Sequence, residues 1–115
     1  MKWQYLGLVL ALVVPPAAAG TISATDAAAH TGQTATVEGV VSNVYQSPGG
    51  TVFLDFGGSY PNNSFAAVIF PSDTNKFPGV NALSGKKADI TGPIKDYRGK
   101  PEIVLKSTDQ LKIVP

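Results

Sequence analysis

Apolar and polar residues alternate through most of this chain, and the pattern predicts strands more than helices. Within residues 85–105, GKKADITGPIKDYRGKPEIVL, Ala88, Ile90, Gly92 and Ile94 fall on one face and Lys87, Asp89, Thr91 and Lys95 on the other. Asp96-Tyr97-Arg98-Gly99 supplies the turn of a hairpin with a three- to five-residue loop, because Gly99 can take the left-handed conformation such a loop needs. Upstream, residues 34–45 are rich in Val and Thr and carry Gly39 at their middle, which predicts a long first strand bent at the glycine. Ser47-Pro48-Gly49-Gly50 is a turn. In the next run Val52, Leu54 and Phe56 share one face, and Phe53 and Asp55 share the other. Gly57-Gly58 and Tyr60-Pro61-Asn62-Asn63 form a second turn region. Residues 65–70 are apolar on both faces, as expected of a strand that is covered on both sides or exposes one aromatic.

Helical signals are few. Thr25-Asp26 ahead of Ala27-Ala28-Ala29-His30 predicts a capped helical turn, with Thr25 or Asp26 accepting the free N–H groups at its start. In residues 73–84, Phe77, Val80 and Leu83 recur at intervals of three, but Pro78 and Gly79 interrupt the run, which predicts one short or irregular helix. Residues 111–114 read as a short strand or extended tail. The result is an all-β domain with one short helix between the third and fourth strands.

The first nineteen residues read as a signal peptide. Lys2 gives a charged start, residues 6–14 an apolar core, Pro15-Pro16 a break, and Ala17-Ala18-Ala19 the small residues of a cleavage site. The apolar run is far short of the roughly 20 residues that span a bilayer. Cleavage near Ala19 would leave residues 20–115 as a single exported domain, periplasmic or secreted, without a membrane anchor and expected to be a monomer.

The whole chain has nine basic and eight acidic residues, and removal of Lys2 leaves eight of each. A neutral domain is a poor match for duplex DNA, whose affinity comes largely from phosphate neutralisation. The basic residues gather late, as Lys86, Lys87, Lys95, Arg98, Lys100, Lys106 and Lys112, diluted by Asp89, Asp96, Glu102 and Asp109. With no cysteine and one histidine, His30, no metal site and no cofactor are implied. No nucleophile elbow, phosphate-cradling loop or paired carboxylates are present, so no catalytic activity is expected.

Three short motifs, in order, carry a family resemblance. Val37-Glu38-Gly39-Val40-Val41 resembles the VxGxV start of the anticodon-binding and helicase-type (tRNA-anti-like) OB domains. Phe53-Leu54-Asp55-Phe56 resembles their second strand. Ile90-Thr91-Gly92-Pro93-Ile94 followed by Tyr97-Arg98-Gly99-Lys100-Pro101-Glu102-Ile103 resembles their VTGxI…YxGxPQI ending, with Glu102 where the pattern more often has Gln. The likeness spans residues 34–106 and is shared with small exported bacterial OB proteins. It implies a five-stranded Greek-key OB-fold barrel that binds across strands two and three and the flanking loops.

That placement would bring together Phe53, Asp55, the loop of residues 46–50, and Tyr97, Arg98 and Lys100. An aromatic face can stack on a base, and Arg and Lys can meet phosphate. Phe53 reads either as such a platform or as a core residue with the strand parity shifted by one. Tyr97 and Arg98 either grip a ligand or cover a barrel end. The leading expectation is a non-enzymatic module binding single-stranded nucleic acid weakly and without strong sequence preference. The alternatives are an envelope module binding a protein or small ligand, and an accessory domain acting beside a separately encoded enzyme. Convergence of Lys86, Lys87, Arg98 and Lys100 beside Phe53 would favour nucleic acid, and scattered charge with an apolar groove the envelope reading.

Overall fold

Strand-forming runs dominate the computed structural model, which describes residues 20–115; the expected signal peptide, residues 1–19, lies outside them. The strands are β1 (Thr21–Ser23), β2 (Thr34–Gln46), β3 (Val52–Phe56), β4 (Phe65–Ile69), β5 (Lys87–Pro93), β6 (Lys95–Tyr97), β7 (Lys100–Val104) and β8 (Leu111–Ile113). Their order in the sheet is β6-β7-β4-β3-β2-β5-β8, with β1 lying parallel beside the start of β2.

The thirteen-residue β2 organises the molecule. Its first half pairs antiparallel with β5, from Thr34 opposite Pro93 to Val40 opposite Lys87. Its second half pairs with β3, from Val41 opposite Phe56 to Gln46 opposite Val52. The register slips between Val41 and Asn43, three residues beyond the glycine at which the bend was expected. The change of partner strand falls between Val40 and Val41, beside Gly39, which also serves packing: a Cβ there would stand 3.2 Å from both the Ala24 side chain and the Phe56 ring.

β4 joins β7 in parallel, and β7 pairs with β6. Only the buried Ile94 separates β6 from β5, so the chain carries the sheet round from one side to the other. Among the described residues no ladder joins β5 to β7 directly. The Gln110 side chain bridges them, its Nε2 donating to the Thr91 carbonyl (2.9 Å) on β5 and the Val104 carbonyl (3.1 Å) on β7. Its Oε1 accepts from the Lys106 and Ser107 amides.

The apolar faces predicted from alternation meet inside. Val52, Leu54 and Phe56 of β3 and Ala88 and Ile90 of β5 are buried together with Phe65, Ile103 and Leu105. The Phe56 and Phe65 rings sit 5.4 Å apart in a tilted pair, a geometry that contributes about 0.5–1.5 kcal/mol beyond area burial.

The helical expectations need correction. Residues 71–82 hold two 3-10 segments, Pro71–Lys76 and Val80–Ala82, in place of one helix. The intervals of three between Phe77, Val80 and Leu83 match the three residues per turn of a 3-10 helix, which is used in short pieces. Ala24–His30 is also a 3-10 segment; its N-cap is Ser23, and neither Thr25 nor Asp26 caps it. No helix among the described residues is long and apolar enough to cross a membrane. This mostly β domain with short helical segments fits an OB-like fold.

Candidate ligand-binding groove

Side chains on the outer face of β2, β3, β4, β7 and β6 stand in two rows set by the register. One row runs Tyr45, Phe53, Val68, Val104; the other runs Asn43, Asp55, Ala66, Glu102, Lys95. A groove of about 690 Å³ crosses this face, with the segment after β3 (Ser59, Tyr60, Pro61, Asn63) on one side and the β6–β7 turn on the other. All five residues singled out from the sequence line it: Phe53, Asp55, Tyr97, Arg98 and Lys100. They do not play equal parts.

Phe53 is half-buried and faces outward, with Val52 and Leu54 pointing into the core, so the strand parity read from alternation holds. Its ring stacks against Tyr45 directly across the ladder, centroids 6.1 Å apart at 26°. Tyr45 is 51% exposed, and the pair offers a broad aromatic surface. Tyr60, 68% exposed, and Tyr97, 51% exposed, stand at the two walls.

Asp55 is only 3% exposed although it lies on the outer face, because the segment after β3 folds over it. Its carboxylate accepts from the Tyr60 amide (3.5 Å) and from Asn63 Nδ2 (3.4 Å). Burial pushes the Asp55 carboxyl above the ordinary carboxylate range, opposed by the Tyr60 amide and the Asn43 side chain. Asp55 therefore holds the wall in place. Lys100 acts alongside it: its Nζ donates to the Asn63 carbonyl at 2.9 Å. Glu102 lies two strands from Asp55 in the same row, and its carboxyl is also raised by burial, with Lys95 opposite drawing it back.

The β6–β7 turn is tighter than the predicted loop. Tyr97 pairs with Lys100, leaving Arg98 and Gly99 as a two-residue turn with φ of 53° and 85°. Two successive positive φ values are the requirement of a type I′ hairpin, which favours Asn-Gly. Arg98 is the one non-glycine residue with positive φ among the described residues. Its guanidinium lies 5.2 Å from the centre of the Tyr97 ring, within cation–π range.

Several expectations do not converge on the groove. The turn of residues 46–50 is not part of its lining, and the segment after β3 takes that place. Lys86 and Lys87 lie outside it as well, Lys87 pairing with Glu38 at 3.6 Å, so only Arg98 and Lys100 of the four cations whose convergence beside Phe53 would favour nucleic acid line the groove. Sequence reading missed Tyr45, Tyr60, Asn63 and Glu102 as groove residues. Tyr45 was within reach, since it shares a strand face with Asn43 and a turn of known length places it opposite Phe53. Tyr60 and Asn63 carried only a turn signal.

No protein-family model and no curated protein matches the chain. Solved structures similar to it include one described as an aspartyl-tRNA synthetase from Leishmania major Friedlin, with a TM-score of 0.54, 11% identity and 82% of this chain covered. Another is aspartyl tRNA synthetase from Entamoeba histolytica, with a TM-score of 0.52, 22% identity and 75% covered. The match takes in 20% and 19% of those chains, so this chain is similar to about a fifth of each. At these identities the likeness is one of fold.

Proposed function

We propose that this protein is an exported, non-enzymatic OB module, a five-stranded Greek-key barrel formed by β2, β3, β4, β5–β6 and β7, that binds single-stranded nucleic acid weakly across the outer face of β3. The observation that carries this reading is the stacked pair Tyr45–Phe53 exposed at the floor of a groove whose rim holds Tyr97 and Arg98. Aromatic faces accept any base, and each stacked base contributes about 1–3 kcal/mol, so a site of this kind binds without strong sequence preference. Support also comes from the solved structures of similar fold, which by name act with tRNA.

Anisotropy titration of a labelled single-stranded oligonucleotide tests the proposal. Binding is expected at low salt, to weaken at physiological salt, and to fall by about tenfold or more in Phe53→Ala, the equivalent of one stacked base. Absence of binding at low salt would exclude nucleic acid and direct the search to envelope proteins and small ligands.

A further inference from the structure

The charges of the groove say what kind of nucleic-acid site it can be, given the reading above, on which this inference rests. Two basic and two acidic side chains line it: Arg98 and Lys100 against Asp55 and Glu102. The Lys100 amine is already engaged with the Asn63 carbonyl. Neither ion pair found among the described residues involves Arg98. Its guanidinium rests on Tyr97 at the exposed tip of the hairpin. Lys86 and Lys87, which would have extended a basic track, are elsewhere. A continuous strand bound through its backbone needs a series of cations; the lining of this groove offers one that is uncommitted, and Lys95, on the same face, stands opposite Glu102.

Arg98 is also unexpected where it stands. The first position of a type I′ turn favours Asn or Gly, and a longer side chain is strained at φ 53°. Strain of this sort persists where a surrounding structure enforces it, and it gathers at ligand-gripping positions.

We infer that the groove is a stacking site for one or two unpaired bases, with Arg98 as its single phosphate anchor, and not a channel for an extended strand. Tyr45 and Phe53 carry the base, and the Tyr97–Arg98 pair holds the adjoining phosphate. The volume of about 690 Å³ is that of a small-ligand site, in the middle of the usual range of about 300–1,000 Å³. Segments that bind would be strand ends, loops or very short oligonucleotides.

The test is the salt and length dependence of binding by the purified protein, with labelled di-, tetra- and octanucleotides at about 50 and 200 mM salt. One neutralised phosphate predicts an affinity loss of only about 2–3-fold across that range, and no gain from tetra- to octanucleotide beyond the extra registers available. A loss of roughly tenfold or more, or affinity that keeps rising with length, would mean several phosphate contacts and would overturn the inference while leaving nucleic-acid binding intact. In Arg98→Asn the turn is relieved, so the melting temperature rises while affinity falls and its remaining salt dependence disappears. Unchanged salt dependence in that variant would remove Arg98 from the role. No binding of any oligonucleotide at either salt would overturn the functional proposal, and this inference with it.

Discussion

The two walls of the groove are built on opposite principles. The segment after β3 is tied from below: Asp55 takes up the Tyr60 amide and the Asn63 side chain, Lys100 holds the Asn63 carbonyl, and the Ser42 hydroxyl accepts from the Gly58 amide at 3.0 Å. The β6–β7 turn has almost nothing beneath it. Its shape comes from the ladder, with a single side-chain bond, from the Gly99 amide to Asp96 at 3.4 Å, no longer than those Asp55 makes, and Tyr97 and Arg98 stand exposed. One wall uses its polar side chains for structure, and the other leaves them available to a ligand. Membership of a cleft is thus a poor guide to role: of the five residues read from the sequence, Asp55 and Lys100 support the site, and Phe53, Tyr97 and Arg98 present themselves to solvent.

The contrast can be broken most severely at Asp55. Asp55→Ala leaves the Tyr60 amide and the Asn63 amide group without their acceptor, and a loss of about 1–3 kcal/mol is expected in urea denaturation. Proteolysis should then cut first within residues 57–64. Asp55→Asn removes the buried charge and keeps one of the two acceptor oxygens, so it should cost less than Asp55→Ala; an equal loss in both variants would show that the second acceptor or the charge itself matters. A smaller effect is expected at Lys100. If its amine is a strut for Asn63, Lys100→Met lowers stability by about 1 kcal/mol and leaves the salt dependence of oligonucleotide binding unchanged. A flattened salt dependence would instead place Lys100 with Arg98 on the ligand side.

The smallest and broadest effect is that of pH. Asp55, Asp89 and Glu102 all have carboxyls raised in the folded state. Burial is the first cause for each, and for Asp89 the neighbouring Glu38 adds to it against Lys112 and Lys87. A raised carboxyl means that the native state holds its proton more tightly than the unfolded chain. Stability from these groups is therefore fully present below the ordinary carboxylate value and is lost as pH rises through the raised one. The denaturation midpoint should increase on mild acidification from neutral, and Asp55→Asn should blunt the increase. A midpoint that falls over the same interval would contradict the burial of these groups.

How much of this was legible beforehand depends on whether the cause was local. The faces of β3 and β5 and the position of the hairpin follow from period-two alternation and from glycine, both properties of a few adjacent residues. The groove's aromatic floor needed the β2–β3 register, which the length of the turn between Gln46 and Val52 sets and no single strand reveals. The intervals of three from Phe77 to Leu83 match bonds from the Val80 amide to Phe77 and from the Leu83 amide to Val80, whereas the 3-10 segment Pro71–Lys76 holds none of those residues and carried no such signal. The structural duties of Asp55 and Lys100 depend on partners that folding brings from the next loop and from another strand. The OB resemblance, which sets both on the expected binding face, suggested a ligand for both.

The amide of Gln110 sets a limit on which sequences this fold can accept. Its four bonds satisfy two carbonyls and two backbone N–H groups with one side chain. Glutamate would keep the acceptor and lose both donations, lysine would keep donors and lose the acceptor, and asparagine is a methylene too short to reach. Neighbouring Thr108 and Lys112 are exposed and free of such demands. Drift along this stretch of chain should therefore be wide at positions 108 and 112 and nearly closed at 110, so that an invariant glutamine close to variable polar positions marks where the barrel is joined.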